Sequence, residues 1–182
     1  LWGYESLGPG GEPVYDVLWA HDEAQEQAAF ERFIDLVVAR HTEYPDMHVY
    51  HYGTPEIAIP RRLALQFDTR VAEADRLLRL GVFCDLYAIV RQGIQVGQES
   101  YSIKKLEPFY DFKRTSHVRA GGGSIVAYEQ WIEAQDQEIL DDLALYNAED
   151  CSSTRLLRDW LLVMRDEAAA ELATVRGADQ HR

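Results

Sequence analysis

Residues 47–56 read MHVYHYGTPE, and this stretch decides the class of fold. The run 47–52 is apolar and aromatic, which predicts a short buried β-strand. Thr54 and Pro55 follow at once, and proline is favoured in the first position of a helix because its missing N–H has no intrahelical partner there. A short buried strand that leads directly into a helix is typical of a sheet covered by helices.

The same alternation continues on both sides of this stretch. Towards the N-terminus, two apolar and aromatic runs flank a turn rich in Gly and Pro, so residues 1–20 predict a β-hairpin. A second short strand is predicted at residues 82–84, and the whole order predicts an α/β or α+β domain with helices packed on one sheet. Helices are predicted over residues 22–40, 69–80, 86–91 and 136–173, the last with a bend at 147–153. Three further helices are predicted to begin at residues 54, 102 and 124.

Composition and charge narrow the range of functions. The 182 residues carry 18 Lys and Arg against 31 Asp and Glu, which gives a net charge of −13. A protein that binds nucleic acid through its overall charge is usually basic, so this chain would need a local patch, metal ions or a basic neighbouring domain. The two cysteines, and the lack of any apolar run of about 18 residues, predict a cytoplasmic protein that does not enter a membrane.

Tyr146 and Asp150 form the sharpest local pattern. They are four residues apart, so on a helix they share one face and lie about one turn from each other. A carboxylate placed there can hold a divalent metal ion, and the phenol can orient a water molecule for phosphodiester hydrolysis. The alternative is a tyrosine packed on the core beside a solvated aspartate.

Two further groups of candidate residues follow the predicted strands. His51 and Glu56 come after the first of these strands, where ligands of α/β sheets are commonly bound. The alternatives are a packed histidine and a glutamate stabilised by the positive end of the helix dipole. Asp85 follows the second strand, and it either caps the next helix or, like His51, supports a metal ligand from behind.

One extended stretch has a net positive charge. Residues 99–119 hold five Lys or Arg against three Asp or Glu, with aromatic residues between them. Tyr101, Lys104 and Lys105 are therefore candidates for substrate binding, since aromatic rings can stack on bases and cations can face phosphates. An amphipathic helix with a solvated lysine face explains the same pattern.

Taken in order, four segments resemble a known family. They are 49–56, 82–87, 100–106 and 146–151, and together they look like the RNase H-like exonuclease domain of RecB-like nucleases. That domain belongs to the wider DnaQ-like superfamily of DEDD-type 3′–5′ exonucleases. The resemblance implies an α/β fold with a five-stranded mixed sheet flanked by helices, within a domain over residues 1–165 and a terminal helix end and tail over 166–182.

The resemblance also assigns roles to residues. It makes Asp150 the last of four acidic residues that hold two Mg²⁺ or Mn²⁺ ions, and Tyr146 the tyrosine of the Tyr subgroup. Glu56 lies where the second motif usually has Asp, and Asp85 matches a common position that is not clearly a ligand. The segment 100–106 matches a helix start that lines the substrate side.

One family motif is not found in the 182 residues. The first motif, Asp-x-Glu on the first strand, has no counterpart here, so we expect that strand upstream in a longer protein. The resemblance therefore implies a metal-dependent 3′–5′ exonuclease domain of a larger nuclease- or helicase-type protein that takes single-stranded ends of DNA or RNA. The alternative is an inactive RNase H-like scaffold or nucleic-acid-binding module.

Overall fold

The computed structural model describes residues 1–53, 55–116 and 123–179, without the side chains of 55–57 and 174–179. The chain begins with the predicted hairpin, in which β1 (Trp2–Leu7) pairs antiparallel with β2 (Pro13–Leu18). Trp2 lies opposite Leu18 and Leu7 opposite Pro13. Gly11 in the connecting turn has a φ of 84°, a conformation that glycine adopts without steric cost.

Helix α1 (Glu23–Glu43) follows the hairpin. Asp22 caps it, since its carboxylate accepts a hydrogen bond from the backbone N–H of Gln25 at 2.7 Å. Phe30, Ile34 and Val37 recur at helical spacing and are buried on one face of the helix. The cap and the apolar stripe together explain why the predicted helix forms here.

A parallel pair of short strands forms the second sheet. Strand β3 (Val49–His51) pairs with β4 (Phe83–Asp85), and the chain between them forms α2 (Pro55–Gln66) and α3 (Val71–Arg79). Parallel strands require a crossover of this kind, which is usually helical. The register places the two strand ends, His51 and Asp85, opposite each other.

The remaining elements are helical. They are α4 (Leu86–Gly93), α5 (Ile103–Leu106), a 3₁₀ turn (Glu107–Tyr110), α6 (Gly123–Ala134) and α7 (Gln137–Asp179). The long helix predicted over 136–173 is present as α7, which continues through 147–153, and the bend expected there stays a prediction. Packing outweighs the weak helix propensity of this segment. The domain boundary expected at residue 165 falls inside α7 and stays a prediction.

The core consists of two hydrophobic clusters on opposite faces of the strands. The first is built on α1, α2 and α3, and Val49 and Phe83 pack against it. The second is built on α4, α5 and α7, and the next residues along the strands, Tyr50 and Cys84, pack against that one. This follows from the strand geometry, in which successive side chains point to opposite faces. The strands therefore lie between two layers of helices.

The expectation of a single sheet is not met within the described residues, which form two two-stranded sheets. Both sheets nevertheless share the same helical layers. On one face, Trp2 of β1 and Val49 of β3 pack against the same cluster. On the other face, α7 reaches β1 through Arg155, which is paired with Glu5, and reaches β3 through Arg158, which lies 5.3 Å from the Tyr50 ring centre. The two sheets therefore contact the same helices on both faces.

Candidate active site

Tyr146 and Asp150 lie on the face of α7 that meets the segment after α4. The Nζ of Lys104 donates to the Tyr146 hydroxyl at 2.7 Å and lies 4.5 Å from the centre of its ring. One turn along α7, the Nη2 of Arg114 lies 2.7 Å from Oδ1 of Asp150. Arg114 also approaches the Tyr146 ring to 5.5 Å. The structure therefore gathers the predicted Tyr146, Asp150 and Lys104 into one cluster with Arg114.

Arg114 is fixed by a buried polar network. Its Nε and Nη2 donate to Oε1 of Glu107 at 2.9 and 2.6 Å. Ser153 of α7 donates to the same carboxylate oxygen at 3.1 Å and pairs with the Tyr110 hydroxyl at 2.9 Å. The Arg114 and Glu107 side chains are only 15% and 9% exposed. Because a guanidinium never loses its charge in a protein, this network keeps a permanent cation beside Asp150.

Burial and pairing act in opposite directions on these two charges. Burial raises the pKa of Asp150, and the hydrogen bond and charge of Arg114 offset only part of that rise. Burial lowers the pKa of Arg114, but hydrogen bonds and charges from Glu107 and Asp150 raise it further than burial lowers it. The site of Asp150 therefore favours the carboxylate less than water does even with Arg114 beside it, and loss of that cation would raise the pKa further.

Glu149 anchors a segment that the sequence did not single out, which we call the 114–116 strap. Its carboxylate accepts hydrogen bonds from the backbone N–H and hydroxyl of Thr115 and from those of Ser116. Burial raises the pKa of Glu149, but these hydrogen bonds outweigh it and the pKa is lowered. Glu149 therefore ties the strap to α7 as an ionised carboxylate, next to Asp150.

Asp85 serves in the structure as a helix cap. Its Oδ1 accepts hydrogen bonds from the N–H of Tyr87 at 2.9 Å and from the N–H of Gly53 at 3.0 Å. The ring of His51 is buried, and its Nδ1 bonds the Gly53 carbonyl at 2.8 Å. Both residues thus hold the loop that follows β3. Their proposed support of a metal ligand stays a prediction.

The other predicted residues have separate positions. Glu56 lies at the start of α2, where its side chain falls outside the described atoms, so its metal role stays a prediction. Tyr101 packs against the second core cluster and donates its hydroxyl to the Ile94 carbonyl at 3.2 Å. Lys105 is half exposed and lies 4.0 Å from Glu99. Lys104 is therefore the predicted substrate-binding residue that lies in the Tyr146 cluster.

Arg114, Glu107 and Glu149 are the residues of this site that sequence reasoning missed. Arg114 did fall within the one positively charged stretch, which was the available signal. Nothing local distinguished Glu107 or Glu149 from solvated glutamates. Their roles come from contacts with residues 34 and 46 positions away along the chain.

The described residues do not fit a divalent ion as they stand. Mg²⁺ and Mn²⁺ prefer several oxygen ligands, whereas no group of three or more His, Cys, Asp and Glu suited to a metal occurs in the part of the chain that the structure describes. Asp150 supplies a single carboxylate, and one of its oxygens already faces Arg114.

No helix within residues 1–53, 55–116 and 123–179 has the length and apolar character needed to cross a bilayer.

Comparison with known proteins provides the family. A family model described as the RNase H superfamily matches residues 10–162, which include Lys104, Tyr146 and Asp150. No curated protein and no solved structure matches the chain. Members of the superfamily act on nucleic acids, and their nucleases typically use divalent metal ions. The chain belongs to the RNase H superfamily, whose fold is generally that of nucleases.

Proposed function

We propose that this chain is the metal-dependent nuclease domain of a larger nuclease- or helicase-type protein, and that it removes nucleotides from the 3′ end of DNA or RNA. The observation that carries the proposal is the cluster of Tyr146, Asp150 and Lys104 within the region that matches the superfamily. By the resemblance of the sequence, Tyr146 and Asp150 would belong to the last motif, and Lys104 to the helix start, of a DEDD-type exonuclease of the Tyr subgroup. The free thiols of Cys84 and Cys151 suit a cytoplasmic location.

The proposal gives each clustered residue a role. Asp150 contributes a carboxylate to the centre, and the Tyr146 hydroxyl orients the attacking water. Lys104 holds that hydroxyl in place at 2.7 Å and attracts the phosphate backbone. Two Mg²⁺ or Mn²⁺ ions would supply activation of the water and stabilisation of the leaving oxygen.

The sheet supports the view that further ligands come from another strand. Within the described residues, β1 pairs with β2 alone and β3 pairs with β4 alone, although both sheets lie between the same helical layers. A further strand between the hairpin and β3 could hydrogen-bond to the edges of both sheets and join them into one. We propose that this strand carries the Asp-x-Glu motif, with Glu56 as a fourth acidic residue.

The acidic surface bears on how substrate is held. With a net charge of −13, the chain as a whole repels the phosphate backbone. We propose that other domains of the parent protein supply most of the affinity for nucleic acid. The domain then needs only to receive a single-stranded end at Lys104 and Tyr146.

The test is hydrolysis of single-stranded DNA and RNA, labelled at either end, by the intact parent protein with Mg²⁺ or Mn²⁺. We expect the nucleic acid to be shortened stepwise from the 3′ end. Asp150→Asn should lower the rate of hydrolysis about a hundredfold or more, because ion-assisted charge stabilisation is worth several kcal/mol. Tyr146→Phe should lower this rate less than Asp150→Asn does. Asp166→Asn is the matched control, since Asp166 lies on the same helix and is exposed.

A second candidate function is an inactive RNase H-like scaffold or nucleic-acid-binding module. The ion pair between Arg114 and Asp150 favours it, because a guanidinium already neutralises the carboxylate that an ion would need. Nucleic-acid binding without hydrolysis under any of these conditions would support this function and contradict the nuclease. Unchanged hydrolysis by Asp150→Asn would place the active centre elsewhere.

A further inference from the structure

The positively charged stretch of the sequence follows one face of α7 from Tyr146 to Trp160. Tyr146, Ser153 and Trp160 are spaced by seven residues, and this spacing keeps them near one face of the helix. At one end of the face, Lys104 donates to the Tyr146 hydroxyl at 2.7 Å. At the other end, the rings of Phe109 and Trp160 stack with their centres 5.9 Å apart. The same face of α7 therefore carries the candidate active site and, further along, a stacked aromatic pair.

This aromatic pair is held firmly and is still partly open to solvent. Trp160 packs against the second core cluster and also contacts the Tyr110 ring, with centres 6.3 Å apart. The Phe109 ring is inclined by only 28° to that of Trp160, yet Phe109 is 42% exposed. A ring that is already fixed can stack on a base at a small cost in entropy, and every base has a flat π-face to offer.

The lysine next to this pair in the sequence is available to a phosphate group. Lys105 lies four residues before Phe109, and its side chain is 49% exposed. Its contact with Glu99 spans 4.0 Å, and the Glu99 side chain is 93% exposed, so this ion pair is weak. The carboxylate of Glu107, which lies between Lys105 and Phe109 in the sequence, is nearly buried and paired with Arg114. It therefore does not cancel the charge of Lys105.

The other charges beside the pair balance one another. Asp159 precedes Trp160 on α7 and is paired with Arg158. Asp111 and Lys113 follow the 3₁₀ turn, and both are exposed with opposite charges. Lys105 thus leaves a small positive excess around an exposed ring. Flat bases joined by phosphates are the chemistry that such a combination recognises.

We propose that Phe109, supported by Trp160, stacks on a base of the single strand whose end is received at Tyr146 and Lys104. This inference rests on the proposed function and adds a second contact with the substrate. Tyr146 and Trp160 are fourteen residues apart, which is about 21 Å at the helical rise of about 1.5 Å per residue. A strand with about 3.4 Å between nucleotides spans this distance with about six of them, and a more extended strand needs fewer.

The test is binding of fluorescein-labelled oligo(dT) and oligo(rU) to the 182-residue chain at low salt without divalent ions, followed by fluorescence anisotropy. Oligonucleotides of about twelve residues are long enough to reach from Tyr146 to the aromatic pair. Phe109→Leu keeps an apolar side chain but removes the ring, so it should weaken binding about fivefold or more, as expected for the loss of one stacked base. Phe109→Tyr keeps the ring and should bind as tightly as the unchanged chain.

A matched control separates stacking at this site from a general effect of exposed rings. Tyr44 is 51% exposed and follows α1, in the opposite helical layer. Tyr44→Leu should leave binding unchanged, and circular dichroism should show that all three variants are folded. An equal loss of affinity in Tyr44→Leu and Phe109→Leu would overturn the proposal.

The position of the stacked base gives a second, independent readout. A single abasic nucleotide, which cannot stack, is placed in turn at each position of the oligonucleotide. For the unchanged chain, binding should weaken when the abasic nucleotide lies opposite Phe109, within about six nucleotides of the 3′ end. The same substitution should have no effect on Phe109→Leu, because that variant has no ring to stack on. A uniform response along the strand, or one that persists in Phe109→Leu, would overturn the proposal.

The outcomes separate the inference from the proposed function. If Phe109→Leu binds as tightly as the unchanged chain while the parent protein hydrolyses 3′ ends, the stacking is overturned and the proposed function stands. If Phe109→Leu weakens binding but the parent protein hydrolyses no strand, the stacking stands and the nucleic-acid-binding module replaces the nuclease. If the chain binds neither oligonucleotide, the stacking is overturned, and hydrolysis by the parent protein decides the proposed function.

Discussion

The two long helices that cover the strands, α1 and α7, meet them with different chemistry. The buried face of α1 consists of Ala29, Phe30, Ile34 and Val37, all apolar. The inner face of α7 includes the buried Leu157, but also Ser153 and the Asp150 that pairs with Arg114. A buried apolar face needs only to fit, whereas each buried polar group needs a partner. The polar face is therefore where a site can form, at some cost in stability.

The largest expected effect comes from the apolar face. Phe30 is fully buried in the first cluster and contacts Trp2 ring to ring at 6.3 Å. Phe30→Ala should cost about 3–5 kcal/mol, because it removes buried apolar surface and leaves a cavity. Urea unfolding followed by circular dichroism measures this loss. Phe109→Ala is the control, since Phe109 is exposed, and an equal loss in both variants would contradict the role assigned to the α1 face.

The polar face should give a smaller effect of a different kind. Glu107→Gln keeps the shape but removes the charge that accepts from Arg114 and Ser153, so it should cost about 1.5–3 kcal/mol in the same unfolding measurement. Glu133→Gln on the exposed side of α6 is the matched control and should change little. A loss below 0.5 kcal/mol, roughly the scatter of exposed substitutions, would mean that the network does not stabilise α7.

The fold could largely be predicted from local patterns. The stripe of Phe30, Ile34 and Val37 and the cap at Asp22 both follow from neighbouring residues, and the structure has α1 where they predict it. The long helix predicted over 136–173 is also present, as α7 (Gln137–Asp179). The pairing of strands into two sheets could not be predicted, because it depends on contacts between residues far apart in the chain.

The candidate site could be predicted only in part. The spacing of Tyr146 and Asp150 placed them on one helical face, and Lys104 was named from its charged stretch. Arg114 was not named, because its pairing joins residues 36 positions apart and no periodic pattern marks it. Local chemistry favours a cap for an aspartate before a helix, and Asp85 is found as one.

The smallest expected effect comes from an exposed ion pair on α1. Comparing it with the buried pair of Arg114 and Glu107 tests how much burial adds to the stabilisation. Arg70 donates from Nε and Nη2 to Asp35 at 2.7 and 2.8 Å, much as Arg114 donates to Glu107, but the Asp35 and Arg70 side chains are 54% and 33% exposed. Asp35→Asn should therefore cost less than about 1 kcal/mol at neutral pH. The hydrogen bond from Arg70 lowers the pKa of Asp35, so this contribution is present above the pKa of the unfolded chain and is lost as the pH falls through the lower pKa of the folded state. Urea unfolding at pH 7 and at pH 3, with and without about 1 M salt to screen the pair, measures both effects. If Asp35→Asn lowered the free energy of unfolding as much as Glu107→Gln does, burial would not explain why the ion pair on α7 stabilises the protein more than the one on α1.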